Sequence, residues 1–335
     1  MNSSDQPAAN PANNPAKAMS ARSSPNAVNL PEIEDKLWAS TFSEARPMPS
    51  IEEAKDFKEQ SFAEGGETLR WWGDFELEVG RMAWWKLGPS QVVVQRLEQE
   101  WKLIYLAGED LLDSTILMEM PLSYNFYDKL KDYESQEKKS SIRRYMFKES
   151  SRLLSLRPLL GDRPFVVKPE TPFSIQEGQE VTLYVTTPLW VSVRVGLQGE
   201  QLLREMPSHR PSDTWFGDNL HGELCYASRL AGQLSIDKLK RRPYRIVSPL
   251  RVRNHSHSPL LIERVKLPVQ YLSLYCAKDG FLWTQGLTMT RQHDRTQMDL
   301  DRSFPKEMGE GEKLAGPREM ISNRGLFGRF RWGFR

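Results

Sequence analysis

The feature that most constrains the fold of this chain is an alternation of apolar and polar residues that begins near residue 67. Phe75, Leu77 and Val79 are apolar, and they alternate with the acidic residues Glu76 and Glu78. Successive side chains of a β-strand point to opposite faces, so this period of two predicts strands with one buried face and one solvated face. Glycines divide the segment into short runs, which is typical of an antiparallel meander.

The same period returns in the second half of the chain. The run PYRIVSPLRVRNHSHSPLLIERVKLPV predicts strands on both sides of a polar turn, HSHS, that would close a hairpin. Asp279-Gly280 predicts the tip of a second hairpin. Short strands separated by such turns are typical of immunoglobulin-like sandwiches. We therefore predict a mainly β fold of two packed, antiparallel, sandwich-like units.

Changes in composition predict four regions along the chain. Residues 1–48, rich in Asn, Ala, Pro and Ser, are predicted to be disordered because they have too little apolar surface to offset the entropy of ordering. Residues 49–160 form an N-terminal β-rich domain, residues 161–323 a C-terminal sandwich-like domain, and residues 324–335 a basic, aromatic tail. Within the first domain, SSIRRYMFKESSRLLSL predicts either a minor helical insert or a long excursion between sheets.

Composition excludes several classes of protein. Hydrophobic residues make up 39% and charged residues 27% of the chain, as in ordinary globular proteins. A net charge of +2 creates no global field for nucleic acid, so we expect no nucleic-acid partner. We find neither the apolar centre of a signal peptide nor a long apolar run, and we expect a cytoplasmic location. The two cysteines, Cys225 and Cys276, are predicted to be buried thiols.

One stretch, PSDTWFGDNLHGELCYA, concentrates residues capable of chemistry. Asp213, Asp218 and His221 would lie in a loop that leads into a strand with Glu223. Carboxylates and an imidazole in one place could hold a divalent cation or supply a general base. The first alternative for function is therefore a metal-assisted hydrolase or lyase at this loop.

A structural interpretation of the same stretch competes with catalysis, and we favour it. Asp213 and Asp218 can each form an Asx turn, and the Trp215-Phe216 pair can fill the gap between two β layers. Alternation in GELCYA places Glu223 on one face of its strand and Tyr226 on the other. The question is whether the polar or the aromatic side chains point inward.

Two tryptophan pairs suggest a binding surface. Adjacent strand residues face opposite sides, so one ring of Trp71-Trp72 and one of Trp84-Trp85 should be nearer the solvent. Trp72, Trp85, Trp215 and Phe216 are our candidate ligand or interface residues. Flat exposed rings suit sugar stacking, so a carbohydrate-binding module is the second alternative, although we favour an interface between proteins or domains.

Basic residues define two candidate surfaces. Arg241 and Arg242 lie in KLKRRPYRIVSPLRVR, and Arg329 and Arg331 lie in the tail NRGLFGRFRWGFR. The mixture of arginine and aromatic residues in the tail suits peripheral contact with an anionic membrane, but a final edge strand explains it equally well. Phosphate-loop, hydrolase and metalloprotease motifs are absent, and the close pair His255-x-His257 falls in a predicted turn. We therefore predict no cofactor and no metal.

The segments SDTWFG, GELCYA, PLWVSVRV and SPLRVRNHSHSPLLIERVKLPV give the chain a resemblance to a known family. Over roughly Leu69–Thr290 it resembles family number 432 in the series of domains of unknown function, found in archaea and bacteria. Members sometimes lie beside small-conductance mechanosensitive channels, so the resemblance implies proximity to a membrane channel. It implies no catalytic residues.

These observations favour a non-enzymatic binding or regulatory protein that acts through contacts with a protein partner near a membrane channel. We lean against an enzyme because no complete catalytic motif is present. The sequence leaves the partner and the oligomeric state open.

Overall fold

A computed structural model describes residues 70–120, 140–220, 222–228, 231–292 and 295–320. The predicted disordered segment 1–48 and the tail 324–335 lie outside the described residues. The described chain is mainly β and is built from several mostly antiparallel sheets, which confirms the predicted fold class. Its described helices are single 3-10 turns at Ile236–Lys238, Val269–Tyr271 and Lys306–Met308.

Twenty-two strands are described, three to ten residues long. The first eleven are β1 (Gly73–Glu76), β2 (Met82–Leu87), β3 (Ser90–Arg96), β4 (Glu100–Leu106), β5 (Ile116–Glu119), β6 (Ser140–Met146), β7 (Leu153–Leu159), β8 (Phe165–Val167), β9 (Phe173–Ile175), β10 (Glu180–Pro188) and β11 (Trp190–Val195). The others are β12 (Gln201–Pro207), β13 (Ser212–Phe216), β14 (Glu223–Ala227), β15 (Arg245–Asn254), β16 (Leu260–Ile262), β17 (Val265–Leu267), β18 (Leu274–Ala277), β19 (Leu282–Thr284), β20 (Leu287–Gln292), β21 (Arg295–Leu300) and β22 (Gly311–Ala315).

The described strands form five sheets. One sheet has the order β5-β2-β3-β4-β6 and contains the predicted meander from β2 onward. The first strand of that prediction, β1, lies instead in a second sheet with the order β1-β7-β11-β12. Val79 follows the end of β1 and is 47% exposed, so its predicted place on the buried face is wrong. A third sheet, β13-β14-β8-β17, contains the stretch with the candidate site residues, and β16 pairs with β9 alone. In the largest sheet, β10 covers one edge of β15, while β19 and β20 run parallel to its other edge.

Part of the predicted helical insert is strand. Ser140–Met146 pairs with the open edge of β4 as β6, and Leu153–Leu159 is β7. Arg144 fastens the edge by donating two hydrogen bonds of 2.6 Å to the carboxylate of Glu100, which lowers the pKa of that carboxyl. Pairing with a neighbouring strand therefore overrides the helical period of this segment. Residues 121–139, which precede it, lie outside the described residues.

The polar turn HSHS connects two sheets and does not close a hairpin. β16, which follows the turn, pairs with β9 and leaves β15 to β10, β19 and β20. The buried Asn254 organises the crossing: its amide nitrogen donates to the carbonyls of Ile175 and Ser258, and its oxygen accepts from the backbone and hydroxyl of Ser256. The predicted hairpin at Asp279-Gly280 is confirmed, with β18 and β19 antiparallel around it.

Among the described residues, the core consists of one large apolar cluster that extends from Trp71 to Met298 and two smaller ones. The large cluster includes residues from both sides of the domain boundary predicted after residue 160. Its extent does not test the boundary, which stays a prediction. Gly88 shows how closely the segments pack. A Cβ atom at Gly88, which has a φ of +58°, would lie 2.2 Å from the ring of Tyr244, so only glycine fits.

Candidate functional site on the β13–β14 hairpin

The stretch with the candidate catalytic residues folds as a hairpin of β13 and β14. Asp213 lies within β13 opposite Tyr226, so its predicted Asx turn is wrong. The backbone at Asp213 is extended because it pairs with β14, and an extended backbone cannot form the turn. Asp218 does form the predicted turn, because its carboxylate accepts a hydrogen bond of 2.8 Å from the backbone nitrogen of Leu220. His221 lies outside the described residues.

Cross-strand register assigns the hairpin two faces. The outer face carries the pairs Asp213–Tyr226 and Trp215–Leu224. The inner face carries Phe216 opposite Glu223 and Thr214 opposite Cys225. The predicted alternation along β14 is confirmed.

The carboxylates of the proposed hydrolase site do not converge. Asp213 points outward and forms a 3.3 Å ion pair with Arg163, whereas Glu223 points inward and pairs with Lys266. The described residues hold no group of three or more His, Cys, Asp or Glu side chains that could bind a metal ion. A hydrolytic centre needs its acid, base or metal ligands around one substrate atom, and the described geometry separates Asp213 from Glu223.

Behind the hairpin lies a buried cation. Lys266 on β17 is 3% exposed, and its ammonium pairs with Glu223 and lies 6.0 Å from the centre of the Phe216 ring. Burial lowers the pKa of Lys266 to about 8. Burial raises the pKa of the neighbouring Cys225 thiol to about 11, so the thiol is neutral at pH 7 and is closed to solvent. Both cysteines are buried and free, as predicted.

The outer face presents an exposed apolar tip. Trp215 is 48% exposed, its cross-strand partner Leu224 is 45% exposed, and Leu220 in the connecting loop is 88% exposed. The indole nitrogen of Trp215 donates a 3.0 Å hydrogen bond to the carbonyl of Asp218. A Cβ atom at Gly222 would lie 2.2 Å from the same nitrogen, so the ring rests against bare backbone and its orientation is fixed.

Toward the base of the hairpin, the outer face becomes an aromatic and cationic cluster. The half-buried Tyr226 ring lies 5.3 Å from Phe165 and 5.4 Å from Trp190 between ring centres. The guanidinium of Arg163 covers Tyr226 at 5.4 Å, and the Tyr226 hydroxyl donates a 2.9 Å hydrogen bond to Asp162. Burial, and then the bond to Asp162, raise the pKa of Tyr226 to about 12. This packing holds the exposed tip on a rigid base.

The other aromatic candidates are largely internal. Phe216 and Trp72 are buried, and Trp85 is completely enclosed, so the ring of Trp85 cannot meet a ligand from solution. The guanidinium of Arg70 lies over Trp72 at 5.6 Å. Of the four candidates, only Trp215 has the exposure that stacking on a ligand needs.

The basic candidates separate in the same way. Arg241 is at the surface, where it forms a 2.9 Å ion pair with Asp279 and lies over Phe281 at 4.5 Å. Arg242 is buried and donates to the carbonyl of Leu112 at 2.7 Å, so its assignment to a basic surface is wrong. The guanidinium therefore serves as a hydrogen-bond donor to the backbone of the loop that contains Leu112. Arg329 and Arg331 lie outside the described residues.

Sequence reasoning missed Lys266 and Arg163, the two cations that pair with the predicted carboxylates. Lys266 left a signal, because it stands between Val265 and Leu267 in a short strand whose three residues are all buried. Arg163 left none, since its position in the loop before β8 gives no indication that it contacts Tyr226.

A comparison with protein families agrees with the resemblance carried by the hairpin motifs. The model of a family described as a protein of unknown function (DUF432) matches residues 71–332. The chain belongs to this family. No curated protein and no solved structure gives a significant match to the DUF432 chain. Within the described residues, no helix has the length and apolar character needed to cross a membrane.

Proposed function

We propose that this DUF432 chain is a non-enzymatic binding protein that contacts a protein partner through the outer face of the β13–β14 hairpin. The observation behind the proposal is the exposed pair Trp215–Leu224, in which a hydrogen bond to Asp218 holds the Trp215 ring, with the exposed Leu220 in the connecting loop. Contiguous apolar surface that is exposed and rimmed by polar residues is typical of protein interaction sites.

The residue types on this face are those that dominate binding energy at interfaces. Tryptophan, tyrosine and arginine are enriched among such residues, and Trp215, Tyr226 and Arg163 all lie on the outer face. Tyr226 and Arg163 are already packed against each other, so binding would cost little additional side-chain entropy. The partner would present an apolar pocket for Trp215.

The edge of the sheet offers a second mode of contact. β13 is the outermost strand in the order β13-β14-β8-β17, and its only described strand partner is β14. An extended segment of the partner could add to this edge through backbone hydrogen bonds, while Trp215 supplies specificity. A location near a membrane channel stays a prediction, as does the contact of the tail with a membrane.

Affinity capture from the native host tests the proposal. Trp215→Ala combined with Leu224→Ser should abolish capture of the partner, because loss of one central anchor weakens binding by about 2 kcal/mol, or roughly 30-fold. Leu261→Ser is the matched control, because Leu261 is an equally exposed leucine on β16, in a different sheet. Equal recovery of the same partner with all three proteins would refute the proposal.

A cross-linking experiment identifies the contact directly. A photo-reactive residue at position 220 should form a cross-link to the partner, whereas one at position 261 should not. Cross-links from both positions, or from position 261 alone, would assign the interface to another surface.

A further inference from the structure

A groove lies on one face of the sheet β1-β7-β11-β12. It has a volume of about 420 Å³, which falls within the range of small-ligand sites. Strand register brings three of its residues side by side, because Ser192 on β11 is the direct partner of Arg157 on β7 and of Glu205 on β12. Their side chains therefore emerge on the same face of the sheet.

Arg318 closes the groove from the segment that follows β22. Its Nε donates to the carbonyl of Leu160 at 2.6 Å, and its Nη1 donates to the carboxylate of Glu205 at 2.6 Å. These two bonds fix the guanidinium plane. The remaining nitrogen, Nη2, is buried and has no hydrogen-bond partner among the described residues.

Ser192 is the second unsatisfied group in this groove. It is 1% exposed, and its hydroxyl also lacks a hydrogen-bond partner among the described residues. A buried donor left without an acceptor is destabilising, because it has lost its hydrogen bonds to water and gained none in return. Ser192 and Arg318 both line this one groove, so a single acceptor bound there would satisfy both donors.

The charges around the groove favour an anion. Arg157, Arg194 and Arg318 line it, and Glu205 is the only acidic residue among the described lining residues. Arg157 pairs with Asp74 at 2.7 and 2.8 Å and Arg318 pairs with Glu205, so the positive excess around the two unsatisfied donors is the single charge of Arg194. A ligand that accepts hydrogen bonds at several oxygen atoms and carries negative charge matches this arrangement.

We propose that the groove binds a phosphoryl group, with the Ser192 hydroxyl and Arg318 Nη2 donating to its oxygens. A phosphoryl group presents several acceptor oxygens, so it can satisfy both donors at once. Free phosphate, a soluble phosphomonoester and a phospholipid headgroup share this chemistry. The groove is large enough to hold more of the ligand than the phosphoryl group.

Calorimetric titration with inorganic phosphate and with glycerol 3-phosphate distinguishes two of the sources. Co-sedimentation with phosphatidic acid vesicles, compared with phosphatidylcholine vesicles, tests the third. We expect saturable binding of at least one phosphate form, while sodium chloride at equal ionic strength gives none. Failure of all three forms to bind, or equal binding of chloride, would overturn the proposal.

One variant and a matched control test the Ser192 donor. Ser192→Ala should weaken the binding of the phosphate form by about tenfold and leave the melting temperature unchanged or higher, because it removes a hydroxyl that is unpaired in the free protein. Thr187→Val is the control: Thr187 is also buried with an unpaired hydroxyl, but it lies on β10, outside the groove, and its replacement should leave affinity unchanged. Affinities that are equal in Ser192→Ala and the wild type would refute the assignment of the donor.

Discussion

Replacement of Lys266 by methionine should stabilise the protein at neutral pH. The ammonium of Lys266 is almost fully buried, whereas the carboxylate of its partner Glu223 is 41% exposed. Methionine has a similar length and no charge, so Lys266→Met removes the desolvation cost of the cation. Water can still solvate Glu223, so the variant leaves no fully buried, unpaired charge.

The magnitude follows from the pKa of Lys266. Burial lowers this pKa from 10.5 to about 8. The unfolded chain therefore binds more protons between pH 8 and pH 10.5, and the contribution of this group to stability rises with pH across that window. Below pH 8 the charged form of the buried lysine costs about 3 kcal/mol relative to the neutral form. We expect Lys266→Met to raise the free energy of unfolding by about 1–3 kcal/mol at pH 7.

Urea unfolding of both proteins at pH 7 and at about pH 9.5 measures the effect. The advantage of the variant should shrink by about 2 kcal/mol at the higher pH, because the lysine of the wild type is then neutral when folded. Burial raises the pKa of Cys225 and Cys276 from 9.0 to about 11. The thiols ionise more readily in the unfolded chain, so they lower the free energy of unfolding as the pH rises from about 9 to about 11. This loss is common to both proteins and cancels in their difference.

Lys278→Met is the matched control. Lys278 and its partner Glu310 are both about three-quarters exposed, so this variant should change the free energy of unfolding by less than about 0.5 kcal/mol at either pH. The reasoning is refuted if Lys266→Met is less stable than the wild type at pH 7, or if the difference between them does not depend on pH.

Two further predictions concern residues on which the fold depends. Asn254→Ala should lower the free energy of unfolding by about 3 kcal/mol in urea, since it deprives buried backbone groups of their partners, whereas the exposed His257→Ala should change it by less than about 0.5 kcal/mol. Equal effects would contradict the role of Asn254 in the turn. Trp85→Ala should cost about 3–5 kcal/mol or prevent folding, while Trp215→Ala should shift the melting temperature little; comparable shifts would contradict the assigned burial.

The strands were predictable because their signal is local. The alternation that begins with Phe75 and Leu77 reports which face is buried, and the dipeptide Asp279-Gly280 specifies a tight turn by its own conformational preference. Neither inference needs to know where the neighbouring strand comes from. The mainly β class follows from such local signals alone.

Strand partners were not predictable, because they depend on distant segments. HSHS has the composition of a hairpin turn. The side chain of Asn254, just before it, instead donates a hydrogen bond to the carbonyl of Ile175, seventy-nine positions earlier. Ser140–Met146 has a helical period but lies at the edge of β4. In both segments the long-range pairing outweighs the local preference.

The candidate site shows the same division. The faces of β14 followed from alternation, so Glu223 was placed correctly relative to Tyr226. The separation of Glu223 from Asp213 was not predicted. Asp213 was assigned to a loop, where side chains follow no alternation from which their direction could be inferred. Which aromatic ring of Trp215-Phe216 would be buried required the cross-strand partner of each residue.

The position of β15 between earlier and later strands affects how the chain folds during its synthesis on the ribosome. One of its edges pairs with β10, which precedes it, but the other must wait for β19 and β20, which are synthesised later. Until residue 292 has left the exit tunnel, that edge presents unpaired backbone to other nascent chains. Force measurements on stalled nascent chains should therefore register the final folding step only beyond this point, and the interval before it is when a chaperone would be needed most.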